Sequence, residues 1–177
     1  MKGIDKSLRG AVIDGPYRYR LWRYWDRELI PLVVCMLNPS TADDVKNDQT
    51  IRRCLHYAKR EGFGGLEVVN LFAWRSTDPD VLRKAAVSQF ARMIGPSNDD
   101  HIRNALKATR ADTGGLVLVA WGTNVERISG GMTRARQVKR LIDEHGLPIV
   151  CLGTTQGGYP RHPARLGNDV ELVPYEF

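Results

Sequence analysis

The chain has only three cysteines among 177 residues, Cys35, Cys54 and Cys151, and no two of them form a C-x-x-C pair. An odd count without spacing argues against a disulfide framework and against a structural zinc or iron–sulfur site. Cys35 and Cys151 lie in apolar runs, which points to buried free thiols. No apolar run approaches the roughly 20 residues needed to span a bilayer. The opening stretch "MKGIDKSLRGAVIDG" lacks the apolar core of a signal peptide, so a cytoplasmic protein is expected. Several fingerprints are also missing. There is no P-loop, and "GFGG" at 62–65 precedes a strand rather than opening a helix, so it is not a dinucleotide loop. No H-x-E with a downstream C-x-x-C marks a zinc deaminase, and no G-x-S-x-G marks a nucleophile elbow. Internal repeats, low-complexity tracts and linkers are absent too, so a single domain over 1–177 is expected.

What is present is ordinary globular composition, 42% hydrophobic and 26% charged, in a chain long enough to bury a sizeable core. The net charge of +6 and pI of about 9.4 suit a polyanionic partner without requiring one. "YRYRLWRYWD" at 17–26 alternates aromatic or apolar residues with arginine, the period of a strand with one solvated, cationic face. "LIPLVVCML" at 29–37 follows after a short polar break, which predicts a hairpin between the two. "DQTIRRCLHYAKREG" at 48–62 puts Ile51, Cys54, Leu55 and Ala58 on one helix face, and a glycine ends it. "LEVVNLFAW" at 66–74 reads as a buried strand, and "DPDVLRKAAVSQFARMIG" as a helix begun after Pro79. "SNDDHIRNALKATRA" reads as a helix with Ser97 as N-cap. "GGLVLVAWG" at 114–122 reads as a strand, "TRARQVKRLIDEHG" as a basic helix, and "LPIVCLGTT" at 147–155 as a strand. The tail "VELVPYEF" suits a short edge strand or a docking segment.

Four apolar strands thus alternate with helices. Such alternation predicts an α/β domain: a mostly parallel central sheet of four core strands, covered on both faces in three α/β/α layers, plus an N-terminal hairpin strand. In open sheets of this class, ligands bind beyond the carboxyl ends of the strands. Those ends read Asn38-Pro39-Ser40-Thr41, Asn70-Leu71-Phe72-Ala73-Trp74-Arg75, Trp121-Gly122-Thr123-Asn124, and Thr154 through Tyr159-Pro160-Arg161-His162-Pro163. All four bring polar or aromatic groups to one place.

"LNPST" after the first core strand, "VVNLF" on the second, "LVAWGTN" on the third and "RHP" after the last resemble the ordered motifs of the uracil-DNA glycosylase superfamily. More closely, "LNPSTAD", "VVNLFAWRSTDP", "IGPSND" and "RHP" resemble the domain-of-unknown-function family 1643. That group is in turn similar to an anti-phage DNA glycosylase that removes glucosylated hydroxymethylcytosine from phage DNA.

The resemblance implies a role for each matching residue. Asn38 falls where the superfamily places an Asp or Asn beside the sugar, and an Asn positions a water but is a poor general base. Asn70 falls where an amide reads the edge of a flipped base. His162 falls where a histidine hydrogen-bonds the departing base as negative charge builds on it. Where the family motif often continues His-Pro-Ser, this chain has Ala164 and then Arg165, so Arg161 or Arg165 is the candidate for the phosphate contact. Ser40, Thr41 and Arg75 are further candidates on the DNA side, and Phe72, Trp74 or Tyr159 for stacking on an extruded base. Asp43, Asp44 and Asp48 follow the first motif. Asp48 is the candidate to activate water, and equally to cap the next helix. Arg134, Arg136, Lys139 and Arg140 read as a cationic helix face, either solvated or tracking a DNA backbone. His56, His101 and His145 read as surface or capping residues.

The expected function is therefore a monofunctional DNA glycosylase acting on a modified or non-standard pyrimidine, with DNA as partner and no metal or organic cofactor. Two alternatives stay open: a hydrolase of free nucleosides or nucleotides, and a non-catalytic nucleic-acid-binding module.

Overall fold

Strands β1 (Arg9–Asp14) and β2 (Tyr17–Tyr24) form an antiparallel hairpin across Gly15-Pro16, with Ala11 opposite Leu21. The computed structural model describes residues 8–40, 42–43, 45–78, 80–85 and 87–177. Strand β3 (Pro31–Met36) comes next, then helix α1 (Gln49–Arg60), strand β4 (Gly65–Asn70) and helices α2 (Asp80–Lys84), α3 (Phe90–Ile94) and α4 (Asn98–Leu106). Strand β5 (Val117–Val119), helix α5 (Gly131–Asp143) and strands β6 (Ile149–Cys151) and β7 (Val173–Pro174) complete the chain. The order in the single sheet is β1-β2-β4-β3-β5-β6-β7.

The sheet is mixed. β4, β3, β5 and β6 run parallel to one another, while β1, β2 and β7 are antiparallel additions at the two edges. The mostly parallel sheet read from the sequence thus holds for the four core strands alone. The expected hairpin between 17–26 and 29–37 does not form. β3 is buried at every residue, and such a strand needs a neighbour on both edges and cover on both faces. It takes β4 and β5, and β4 stands between it and β2. Entry of β4 is made by Gly64, whose carbonyl accepts the N–H groups of Trp25 (3.0 Å) and Asp26 (2.9 Å) while its own N–H donates to Ile30 O (2.9 Å). A Cβ on Gly64 would lie 2.2 Å from Asp26 O, so only glycine fits this wedge.

Alternate residues of the core strands face opposite clusters. Leu32, Val34, Met36, Leu66, Val68 and Leu118 pack with Ile51, Cys54, Tyr57 and Ala58 of α1. Val33, Cys35, Val69, Val117 and Val119 pack with Ile102, Ala105 and Leu106 of α4 and with Ala135, Val138 and Leu141 of α5. The three cysteines are buried free thiols, and burial pushes Cys35 and Cys54 up to about 12.

Other elements differ from the sequence reading. The helix expected from 80 onward is broken into α2 and α3, with a 3-10 turn over Val87–Gln89 between them; its expected start, Pro79, lies outside the described residues. Ser97 occupies the N-cap position of α4, but its hydroxyl makes no capping bond. The tail serves in both expected ways: β7 pairs with β6, and Tyr175 and Phe177 pack on Trp121. Arg134 is not part of a solvated cationic face. It is buried, with Nε donating to Leu71 O (2.8 Å) and Nη2 paired with Asp99 of α4. Arg136 and Arg140 remain exposed. His145 caps α5 through Leu141 O, and His56 is exposed. His101 is instead half-buried and stacks on Tyr19 at 4.8 Å.

Candidate active site

β3 ends at Met36, and the next residues turn out of the sheet because Asn38-Pro39 cannot continue the ladder. Here the carboxyl ends of β3 and β5 meet the turn that follows β6, around a cavity of about 340 Å³. Leu37, Asn38 and Ser40 line it from β3, Trp121, Gly122, Thr123 and Asn124 from β5, and His162 from the turn after β6. Thr50, in the first turn of α1, and Ser76 and Thr77, beyond β4, complete the wall.

The amide of Asn38 is oriented by its surroundings. Both neighbours within reach are carbonyl oxygens, Pro39 O at 3.2 Å and Ser76 O at 3.0 Å, so the NH2 group must face them. That leaves Oδ1 as an acceptor with no partner among the described residues.

His162 is oriented in a complementary way. It caps a short 3-10 turn over Pro163–Arg165, and its Nδ1 accepts the N–H of Ala164 at 3.3 Å. An Nδ1 that accepts carries no hydrogen, so the neutral ring carries it on Nε2 as a donor. His162 is exposed as a whole residue, yet the protein around its ring removes much of the water from it. This desolvation holds its pKa below the usual histidine range, against an opposite pull from Asp48. Gly122 adopts φ +72° and donates its N–H to Pro160 O (3.0 Å), and a Cβ there would stand 3.4 Å from that of His162. The glycine thus brings the end of β5 against the histidine turn.

Asp48 caps α1, with Oδ1 accepting the Ile51 N–H at 2.8 Å. Its charge acts on His162 and on the buried Arg18, so it stands beside the cavity without lining it. Asn70 stands at the end of β4 opposite Met36, 1% exposed, and neither atom of its amide has a partner among the described residues. Its carbonyl accepts Asn98 Nδ2 at 3.0 Å.

The aromatic candidates lie elsewhere. Phe72 is a core residue, fully buried and edge-on to Phe90 at 5.6 Å, so it presents no face to the cavity. Trp74 packs against Tyr17, under Arg92, and Tyr159 is half-buried against the α4–α5 cluster. None of the three lines the cavity. Among the backbone candidates, Ser40 lines it, Thr41 lies outside the described residues, and Arg75 is half-buried with its N–H on Pro16 O. Arg161 and Arg165 are exposed and line a second lobe of about 620 Å³, which shares Gly122, Thr123, Asn124 and His162 with the first. Arg127 joins them there.

Thr50, Ser76, Thr77 and Arg127 had no signal of their own in the sequence. The one clue was position: "RST" follows the apolar run at 66–74, and Thr50 comes two residues after the α1 cap. Among the described residues, no group of three or more His, Cys, Asp or Glu is arranged to hold a metal ion, and no helix is long and apolar enough to cross a membrane.

A family model described as "Protein of unknown function (DUF1643)" matches residues 18–164. No curated protein and no solved structure matches the chain.

Proposed function

This chain belongs to the DUF1643 family, and from that premise we propose that it is a monofunctional DNA glycosylase. It hydrolyses the N-glycosidic bond of a modified or non-standard pyrimidine and leaves an abasic site. The observation that carries the proposal is the pairing of two oriented free groups in one cavity, the Nε2–H donor of His162 and the Oδ1 acceptor of Asn38.

Breaking the bond between the sugar C1′ and the base nitrogen sends its electron pair onto the base. A donor fixed in advance stabilises that charge without reorganising. Nε2–H of His162 serves this purpose, and a neutral ring donates without delivering a full proton. The sugar, now oxocarbenium-like, takes up a water whose hydrogen is held by Oδ1 of Asn38. The water's proton leaves to solvent or to the released base. Asn70 is 1% exposed and does not line the cavity, so its unpartnered amide reads a base edge only if the end of β4 opens toward the bound nucleotide. Extrusion of the nucleotide costs a few kcal/mol of unstacking, offset by contacts in the pocket. The arginines of the second lobe supply phosphate contacts. Four parallel core strands with helices on both faces fit a three-layer domain of the uracil-DNA glycosylase kind. Glucosylated hydroxymethylcytosine of phage DNA is the first substrate to try, in a phage-defence role within the cytoplasm.

The test is to incubate the protein with duplexes bearing uracil, hydroxymethylcytosine or its glucosylated form, and to detect abasic sites by strand scission in alkali. Release is expected from at least one, with His162→Ala and Asn38→Ala each slower by about 100-fold or more. No abasic site on any duplex, from a folded protein, overturns the proposal.

A further inference from the structure

The loop that joins β3 to α1 begins with Asn38 and Ser40 and ends with Asp48, so its path sets where these groups stand. Its middle is held from outside the parallel core. Three arginines of the β1–β2 hairpin each donate to one of its main-chain oxygens. Arg18 Nη1 reaches Ala42 O at 2.6 Å, Arg23 Nη2 reaches Asp43 O at 2.5 Å, and Arg9 Nη2 reaches Val45 O. Arg23 adds Nε to Asn47 Oδ1 at 2.9 Å, and its Nη1 is anchored on Gly10 O and Trp22 O of the hairpin itself. Inside the loop, the Asp43 carboxylate accepts the N–H groups of Val45 (2.9 Å) and Lys46 (2.7 Å).

This arrangement is costly. Arg18 and Arg23 are 2% and 6% exposed, and burial pushes Arg18 down to about 10 in spite of Asp48. An apolar side chain would cover that face of the sheet at less cost. What it would not do is satisfy the carbonyls of an irregular loop, each of which needs a donor when water is excluded. A planar guanidinium does so with several donors at fixed angles.

We propose that the β1–β2 hairpin, through Arg18 and Arg23, is a positioning clamp that holds the loop between Asn38 and Asp48 in register with His162. The chemistry it serves rests on the glycosylase reading, whereas the clamp itself does not. Neither arginine lines the cavity, so both are positioning residues rather than catalytic ones.

Hydrogen exchange on the full chain reads the clamp without any substrate. Arg23→Gln and Arg18→Gln are expected to speed exchange at the Val45 and Lys46 amides about tenfold or more, with β3 and β4 amides unchanged. Arg23→Lys keeps the charge but loses the fork, so its exchange is expected to fall between that of the wild type and that of Arg23→Gln. In the base-release assay the same variants should lower kcat about tenfold with KM within about twofold, because a displaced group costs rate more than binding. Exchange at Val45 and Lys46 that matches the wild type, or that rises equally in β3 and β4, overturns the clamp. Faster loop exchange with unchanged kcat overturns its service to the site. Should no duplex yield base release, the exchange result alone decides the clamp, so the two failures are distinguishable.

Discussion

Protonation of His162 would put a hydrogen on Nδ1, donor against donor with the Ala164 N–H, and the ring would lose the bond that aims it. Its pKa in the folded protein lies below the ordinary 6.5, chiefly through desolvation. The neutral, oriented ring therefore persists as pH falls to 6.5 and is lost only at lower pH. The acid limb of kcat/KM is expected below 6.5, checked by a pH–rate profile beside an NMR titration of the His162 ring; a limb above 6.5 would mean that another group controls the rate. The sign for folding is the same, since the unfolded chain takes up the proton first. The contribution is complete above about 6.5 and is lost as pH falls through the folded value. At this scale the sequence was informative for Asn38 and His162, whose types and places beside proline mark them. It was uninformative for Phe72, because an aromatic in an apolar run looks alike whether it faces a cavity or the core.

Helix α1 shows how one element serves stability and site together. Asp48 caps it through Oδ1, Thr50 in its first turn lines the cavity, and its apolar stripe anchors both to the sheet. Because an Asn caps as well as an Asp, substitution separates the two roles. Asp48→Ala should cost about 1 kcal/mol of stability. Asp48→Asn should keep the melting temperature and hold base release within about tenfold of the wild type, measured by thermal unfolding and by the abasic-site assay; a loss of about 100-fold or more would identify the carboxylate as the base that activates water. The helix was legible from its period and its cap. The pairing of β2 was not, since alternation states that a strand has two faces but not which strand lies beside it. Arg134 departs from the expected cationic face for a different reason. At about 100° per residue Arg134 falls on the face of Val138 and Leu141, away from Arg136, Lys139 and Arg140, so its charge masked a position that the helical period itself turns inward, where Asp99 of α4 pairs with it.

Over the whole molecule, charge separates a DNA substrate from a free nucleotide. The net charge is +6, and Arg127, Arg161 and Arg165 line one recess while taking part in no ion pair among the described residues. Each phosphate neutralised on duplex DNA releases counterions and contributes about 0.9 to the slope of log Kobs against log salt. Arg161→Gln and Arg165→Gln are each expected to lower that slope by about 0.9, measured by titrating a fluorescent duplex at several salt concentrations. His162→Ala should leave it unchanged. A slope near zero for the wild type would favour the free-nucleotide alternative.

The sequence by itself determined the four apolar core strands, the cap and stripe of α1, the free buried thiols and the polar strand ends. Each of these depends on the chemistry of neighbours along the chain, which periodicity and turn residues expose. Only the tertiary structure decided that β3 lies inside the sheet, that Gly64 lets β4 pass beside it, and that Arg18 and Arg23 are buried. It also brought Thr50, Ser76 and Thr77 to the cavity and tied the edge hairpin to the loop after Asn38. These are contacts between distant segments, set by which apolar faces find cover and which carbonyls find donors, and a local pattern carries no record of either.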